Sequence, residues 1–299
     1  MTRQDANRPF GRLLTAMITP FHADGSLDVD GAKRLATYLV DEQRCDGLVV
    51  NGTTGESPTT TDEEKAAVVK AVVEAVGDRA SVVAGAGTYD TAHSVKLIKR
   101  MEDAGAHGLL LVTPYYSRPL QDMLYRHFTT LADAASTPIM LYDIPPRSAR
   151  ELERDTIVKL AAHPRVVAVK DATQRLYDAQ RKRVESGLPY YNGVDDINLA
   201  AYASGQVGAV SVIAHLVGKQ LTEMFDAHDS GDVARARQIS DDLLPAVWAL
   251  QDSTQGLCAV KSALAARGLP AGPPRAPLYA AEPETSALIE SLLKEAKIS

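Results

Sequence analysis

The chain has 299 residues, of which 32 are basic and 38 acidic, for a formal charge of −6; 45% are hydrophobic and only 5% aromatic. A chain this long and this apolar can bury a large core, which excludes a wholly disordered protein. The acidic balance speaks against a nucleic-acid partner, which asks for a basic excess, and no apolar run is long enough to span a membrane.

The first ten residues, MTRQDANRPF, are polar and lack the apolar centre of a secretory leader, so a cytoplasmic location is expected. Eight strand-length apolar runs then follow in order: Leu13–Pro20, Gly47–Gly52, Ser81–Gly87, Gly108–Pro114, Pro138–Pro145, Val166–Ala172, Tyr190–Asp195 and Gly208–His215. Each is aliphatic or β-branched and stops at Gly, Pro, Asn, Asp or the residues around them. Runs apolar on both faces suit a parallel sheet covered on both sides. Helix-period segments lie between them: Asp30–Asp41, Thr61–Val76, Thr91–Ala104, Gln121–Ala135 and Thr156–His163. In Thr61–Val76 the pair Thr61 and Glu64 spells a capping box, Gly77 marks the far end, and Val68, Val69, Val72, Val73 and Val76 share a face. Strand–helix alternation over eight strands predicts an α/β fold, a closed (β/α)8 TIM barrel, over residues 1–230. An open doubly wound sheet is the rival, but no GxGxxG follows the first strand. Past Ser230 the strand signal stops. Residues 231–299 read as a C-terminal helical extension, with helices over Asp232–Gln251, Gln255–Arg267 and Glu284–Ala296 and a Pro/Gly-rich link at Leu269–Pro277. The cysteines, Cys45 and Cys258, form no CxxC, which argues for a reducing compartment and against a zinc ribbon.

Barrel chemistry sits at the C-terminal ends of strands. Lys170 closes the apolar run Val166–Val169. An ammonium there loses hydration, which favours the free amine, and a free amine can form a Schiff base with a ketone. The plain alternative pairs Lys170 with Asp171 or another carboxylate. Tyr142, one strand earlier, places a phenol for proton transfer or is simply an inward barrel tyrosine. The loop Gly52–Glu56 offers the hydroxyls of Thr53 and Thr54 and free N–H groups ahead of a helix, which suits a small carboxylate or merely caps that helix. Tyr115-Tyr116 stands at the barrel mouth or in a subunit interface, and Arg147, behind two prolines, can grip a carboxylate through two bonds or be solvated. The seven histidines show no metal spacing, so a metal-dependent aldolase is not expected; no GxSxG elbow of a serine hydrolase is present, and the segment after strand eight is not glycine-rich, so a phosphosugar substrate is not suggested.

Lys170, Tyr142 and the loop Gly52-Thr53-Thr54-Gly55-Glu56-Ser57, with Thr113-Pro114-Tyr115-Tyr116 and Tyr142-Asp143-Ile144-Pro145-Pro146-Arg147-Ser148, resemble the dihydrodipicolinate synthase / N-acetylneuraminate lyase superfamily. The resemblance runs from Leu13 through the C-terminal helices, and the motif set is similar to the actinobacterial synthases. It implies a pyruvate-dependent class I aldolase. Lys170 would form an imine with pyruvate, so no separate cofactor is needed. Thr53 and Thr54 would hold the pyruvate carboxylate, and Tyr142, Thr54 and Tyr116 would relay protons, Tyr116 from a neighbouring subunit. Arg147 would bind the carboxylate of aspartate-4-semialdehyde, Gly193 would lie at the substrate, and the Val210 carbonyl would help position the lysine. A homotetramer built as a dimer of dimers is implied, with no nucleic-acid or membrane partner.

Two departures are legible. Gly193 is followed by Val194 and then Asp195-Asp196, an order similar to the sialic acid lyase branch, where the acidic pair meets sugar hydroxyls. This motivates an alternative, an aldolase or lyase for a 2-keto-3-deoxy sugar acid or N-acetylneuraminate; a non-catalytic ligand sensor is a third reading. Asp62, Lys65, Tyr89 and His93 also stand where lysine-regulated relatives carry histidine and glutamate, which implies weak or absent inhibition by lysine.

Overall fold

Runs of aliphatic residues too short for a helix and bounded by turn formers can satisfy their backbone only by pairing, and here all eight do so. In the computed structural model, which describes residues 7–298, they form β1 Leu13–Ala16, β2 Gly47–Val50, β3 Ser81–Gly85, β4 Gly108–Val112, β5 Ile139–Asp143, β6 Val166–Asp171, β7 Tyr190–Asn192 and β8 Gly208–Ser211. Every neighbouring pair is parallel, and β8 pairs with β1 to close the barrel. The expected barrel is therefore observed and the open sheet is not. The strands are shorter than the apolar runs because the run ends, such as Thr19-Pro20 and Thr113-Pro114, have already turned into the loops of the barrel mouth.

The intervening helices are α1 Val29–Thr37, α2 Asp62–Val76, α3 Thr91–Asp103, α4 Gln121–Ala134, α5 Arg154–Ala161, α6 Leu176–Ser186, α7 Asn198–Ala203 and α8 Ala214–Asp229. The capping box of α2 forms in full: Thr61 Oγ1 accepts the Glu64 N–H and the Glu64 carboxylate accepts the Thr61 N–H. Helix α1 ends early, at Thr37, and the chain widens into a π turn over Tyr38–Glu42. Alternation along the strands gives two cores. Leu14, Val49, Val83, Leu110, Met140, Ala168, Tyr191 and Val210 fill the barrel interior, with Phe10 among them. The outward set packs under the helices.

After Ser230 the chain forms α9 Val233–Asp242, α10 Gly256–Ala266 and α11 Pro283–Glu295. The segment Asp232–Gln251, expected as one helix, is divided. Pro245, which has no N–H to donate, opens a separate turn at Leu244–Val247, and a π turn follows at Trp248–Asp252. Leu257, Val260, Leu264, Ile289 and Leu293 of the extension are buried in the same apolar cluster as the outer barrel residues. His215, fully buried near the mouth, accepts the Ile18 N–H at Nε2 (3.1 Å) and meets the Val212 carbonyl through Nδ1 (2.8 Å), joining the ends of β1 and β8. Burial holds its pKa down, to about 4. Among the described residues no helix is long and apolar enough to cross a membrane.

Candidate active site

Register places the two residues singled out on β5 and β6 side by side: Tyr142 pairs with Lys170, and Asp143 with Asp171. Since successive side chains point to opposite faces, Tyr142 and Lys170 enter the barrel while both aspartates face the helices. Lys170 is 5% exposed, and its Nζ lies 4.3 Å from the centre of the Tyr142 ring. Among the described residues no carboxylate pairs with it. The expected alternative, an ion pair with Asp171, is thereby excluded, because Asp171 stands on the other side of the strand. Gly193 follows β7 and donates its N–H to the Asp171 carbonyl at 2.7 Å. A Cβ on Gly193 would lie 2.9 Å from Lys170 Cε, so only glycine leaves the lysine stem where it is. Val210, on β8, lies in the same interior cluster as Tyr142.

A cavity of about 240 Å³ opens over Tyr142, lined among others by Gly52, Thr53, Tyr115, Ile144 and Arg147. A second, of about 300 Å³, shares Thr53 and Arg147 and adds Thr54, Gln255 and Leu278. Thr53 and Thr54 make no hydrogen bond to any described residue through backbone N–H or hydroxyl. The Tyr142 hydroxyl and the Arg147 guanidinium are equally unengaged within the described chain. Buried or half-buried polar groups normally find partners, so Tyr142, Thr53 and Thr54, set around two cavities that share Thr53 and the exposed Arg147, mark a ligand site. The loops that carry it are strained at non-glycine positions: Asn51, Glu56, Tyr116, Arg118 and Ala149 all adopt positive φ.

The structure does not bring every predicted residue to this cavity. Tyr115 lines it, edge-on to Tyr89 with ring centres 5.3 Å apart. Tyr116 is 94% exposed, with φ 71°, so within one chain the expected relay from Tyr142 through Thr54 to Tyr116 is not closed. The acidic pair after Gly193 requires a correction. Asp195, expected to meet sugar hydroxyls in the alternative reading, is buried and committed to structure. Its Oδ2 accepts the N–H groups of Val212 (2.8 Å) and Ile213 (3.0 Å) and the Gln251 amide (2.9 Å), and its Oδ1 accepts the Asn198 amide. Asp196 is exposed. The sugar-acid reading loses its motivation.

Sequence reasoning missed what stands behind the pair. Asp143 and Asp171 are buried against α6, where Lys182 Nζ lies 3.6 Å from Asp143 Oδ2 and 3.0 Å from Asp178 Oδ2. Asp143 also accepts the Leu152 N–H at 3.1 Å. Desolvation dominates, pushing Asp143 up to about 7 and Asp171 up to about 6, while Lys182 pulls both the other way. The signal was present as two acidic residues interrupting otherwise apolar strands, but it needed α6 to supply the partner.

These features match those of known proteins. The model of the dihydrodipicolinate synthetase family matches residues 9–296. A 4-hydroxy-tetrahydrodipicolinate synthase of Streptomyces coelicolor is 58% identical over 276 residues, covering 92% of each chain. One from Mycolicibacterium gilvum is 55% identical over 273 residues, covering 91% of this chain and 90% of its own. The solved structure of the enzyme from Cyanidioschyzon merolae with lysine bound superposes with a TM-score of 0.93 at 33% identity, over 97% of this chain and 99% of that one. A closed parallel barrel with an interior lysine and tyrosine at its mouth defines the class, a (β/α)8 barrel. The chain belongs to the dihydrodipicolinate synthetase family.

Two predictions arise from this geometry. Gly193→Ala displaces a flexible lysine stem, so the fold tolerates it while turnover falls by at least about tenfold, since misplaced reacting groups are costly. Thermal unfolding and kcat check this, and a wild-type kcat would contradict it. For Asp143 the folded-state pKa lies above the ordinary value of 3.8, so its stabilising contribution is complete below that value and is lost as pH rises towards about 7. Asp143→Asn removes that loss. The unfolding temperature of the variant minus that of wild type therefore increases between pH 4 and pH 7, and a flat difference would refute the assignment.

Proposed function

We propose that this chain is a pyruvate-dependent class I aldolase-type lyase that condenses pyruvate with aspartate-4-semialdehyde to give 4-hydroxy-tetrahydrodipicolinate, the committed chemistry of lysine and diaminopimelate synthesis. The observation that carries the reading is Lys170, buried against the Tyr142 ring with no carboxylate partner among the described residues, near a cavity lined by the unengaged Thr53 and Arg147 and an adjoining one that adds Thr54. Membership of the family and identity of 58% to a named synthase favour this second substrate over a sugar acid.

The steps follow from the groups present. The Lys170 Nζ lone pair attacks C2 of pyruvate, and the carbonyl oxygen becomes the hydroxyl of a carbinolamine. Protonation of that hydroxyl by the Tyr142 phenol lets water leave and the imine form. Thr53 and Thr54 hold the pyruvate carboxylate through N–H and hydroxyl donors, which leaves C3 facing the open cavity. Loss of a C3 proton to the Tyr142 phenolate gives the enamine, whose carbon adds to the aldehyde of the semialdehyde while Arg147 grips that substrate's carboxylate. The substrate's own amine then attacks the imine carbon and displaces Lys170, closing the ring. The reaction written this way uses no metal and no organic cofactor beyond the imine.

Tyr116 acts across a subunit boundary in this reading. Its exposure and left-handed backbone aim it away from its own cavity, and Leu120, Met123 and Tyr125 are exposed close by in the chain, as befits a contact with a second copy. The assembly is a homotetramer of two such dimers, in the cytoplasm. The Val210 carbonyl helps position Lys170, and residues 231–299 act as an extension of the barrel in residues 1–230.

Reduction with borohydride in the presence of pyruvate should fix a mass adduct on the peptide containing Lys170, and Lys170→Ala should abolish both the adduct and, by several orders of magnitude, turnover of pyruvate with aspartate-4-semialdehyde. Release of pyruvate from a sugar acid without turnover of the semialdehyde would overturn the substrate assignment. Inhibition by lysine should be weak or absent, since His93 is bound to Asp62 (2.8 Å) and the buried Lys65 ammonium to the Thr60 carbonyl (2.5 Å). A dose–response curve that saturates in the millimolar range would contradict this.

A further inference from the structure

One buried charged cluster lies outside the chemistry described so far. It joins the loop after β2 to the C-terminal extension. Glu56 ends the Gly52–Glu56 loop, is 3% exposed and has a left-handed backbone with φ 56°. Its Oε1 lies 2.6 Å from Lys261 Nζ on α10, and both side chains are all but fully buried. Its Oε2 accepts the N–H of Arg275, 219 residues later in the chain, at 2.7 Å. Lys261 also donates to the Pro273 carbonyl at 3.1 Å. The Arg275 guanidinium reaches the Glu64 carboxylate through two bonds (2.5 and 2.7 Å) and the carbonyls of Thr59 (2.8 Å) and Gly25. Both cations sit on the Phe21 ring, Lys261 at 4.4 Å and Arg275 at 4.1 Å from its centre.

A carboxylate in dry surroundings on left-handed backbone is costly twice over, once for desolvation and once for strain. It persists only where neighbours over-determine it: the backbone of Glu56 is bonded to Thr53, Thr59 and Thr60, and the partners of its carboxylate, Lys261 and Arg275, come from the extension. The loop it anchors is the one whose Thr53 and Thr54 donors are unengaged. Gly55, between them and Glu56, is fixed as well, its carbonyl accepting from Thr19 Oγ1 at 2.6 Å.

We propose that Glu56, Lys261 and Arg275 are positioning residues: the extension sets the shape of the loop that receives the carboxylate of the keto acid, and so takes part in substrate binding. This rests on the reading of Thr53 and Thr54 as the carboxylate holders. None of the three side chains touches substrate; they act through the loop.

The test measures KM for pyruvate, kcat and unfolding temperature in Lys261→Met, Glu56→Gln, the two combined, and Thr54→Val. In Lys261→Met the Glu56 carboxylate is left unpaired, so KM for pyruvate should rise by about tenfold or more with kcat changed far less, and the unfolding temperature should fall. The combined variant removes the stranded charge and should recover unfolding temperature while KM stays raised. Recovery of KM together with stability, or a wild-type KM in the single variants, overturns the proposal. If Lys261→Met does not fold, Glu56→Gln and the combined variant decide by the same criteria. Thr54→Val separates the two readings: a raised KM there with wild-type KM in the staple variants overturns the staple alone, whereas a wild-type KM in Thr54→Val overturns the loop reading itself.

Discussion

The register between β5 and β6 governs the rest of the molecule. With Tyr142 opposite Lys170, the amine and the phenol share the interior of the barrel. One position further along, the same pairing puts Asp143 and Asp171 outside, where α6 supplies Lys182. A slip of one residue on β6 would reverse this, placing Lys170 among the helices and Asp171 in the barrel interior, and a slip on β5 would exchange Tyr142 and Asp143 in the same way. Closure of the barrel prevents the slip, because every strand is held on both edges.

The interior and exterior charges then play opposite parts. Inside, Lys170 has no carboxylate partner among the described residues, and its stem has room only because Gly193 carries no side chain. Outside, the carboxylates are crowded and desolvated, which raises their affinity for protons. The two sets are separated by the thickness of the sheet, so the sheet isolates the Lys170 amine from the nearest acids that would otherwise neutralise it as an ion pair. Around the mouth, backbone strain at Asn51, Glu56, Tyr116 and Ala149 is concentrated in the loops that shape the cavity. The extension past Ser230 packs into the same apolar cluster as the outer barrel and is bonded to the mouth through Gln251 on Asp195, through Lys261 and Arg275 on Glu56, and through Ala271 and Arg275 on the segment after β1. A segment that reads as a helical appendage is thus bonded to the loops after β1, β2 and β7.

Much of the site was legible because it is written locally. A lysine closing an apolar strand, a tyrosine on the preceding strand and a Gly-Thr-Thr-Gly loop before a capping box are features of a few neighbouring residues, and periodicity alone puts them at the mouth of a barrel. Asp195 shows the opposite case. Its spacing from Gly193 suggested a sugar-binding acid, yet its role is set by Val212, Ile213 and Gln251, which lie 17, 18 and 56 residues away. Tyr116 is similar: the sequence places it at the mouth, but only the left-handed backbone turns it outward.

The sequence by itself determined the eight strands, the helix starts such as the Thr61–Glu64 box, and the candidate pair Lys170 and Tyr142 at the ends of neighbouring strands, because hydrophobic period and capping are short-range effects. The tertiary structure alone decided which face each acid occupies, which carboxylates are committed to structure, and that Glu56 is secured by residues more than 200 positions away. Those outcomes depend on barrel closure and on desolvation by distant segments, and neither is encoded in the spacing of adjacent residues.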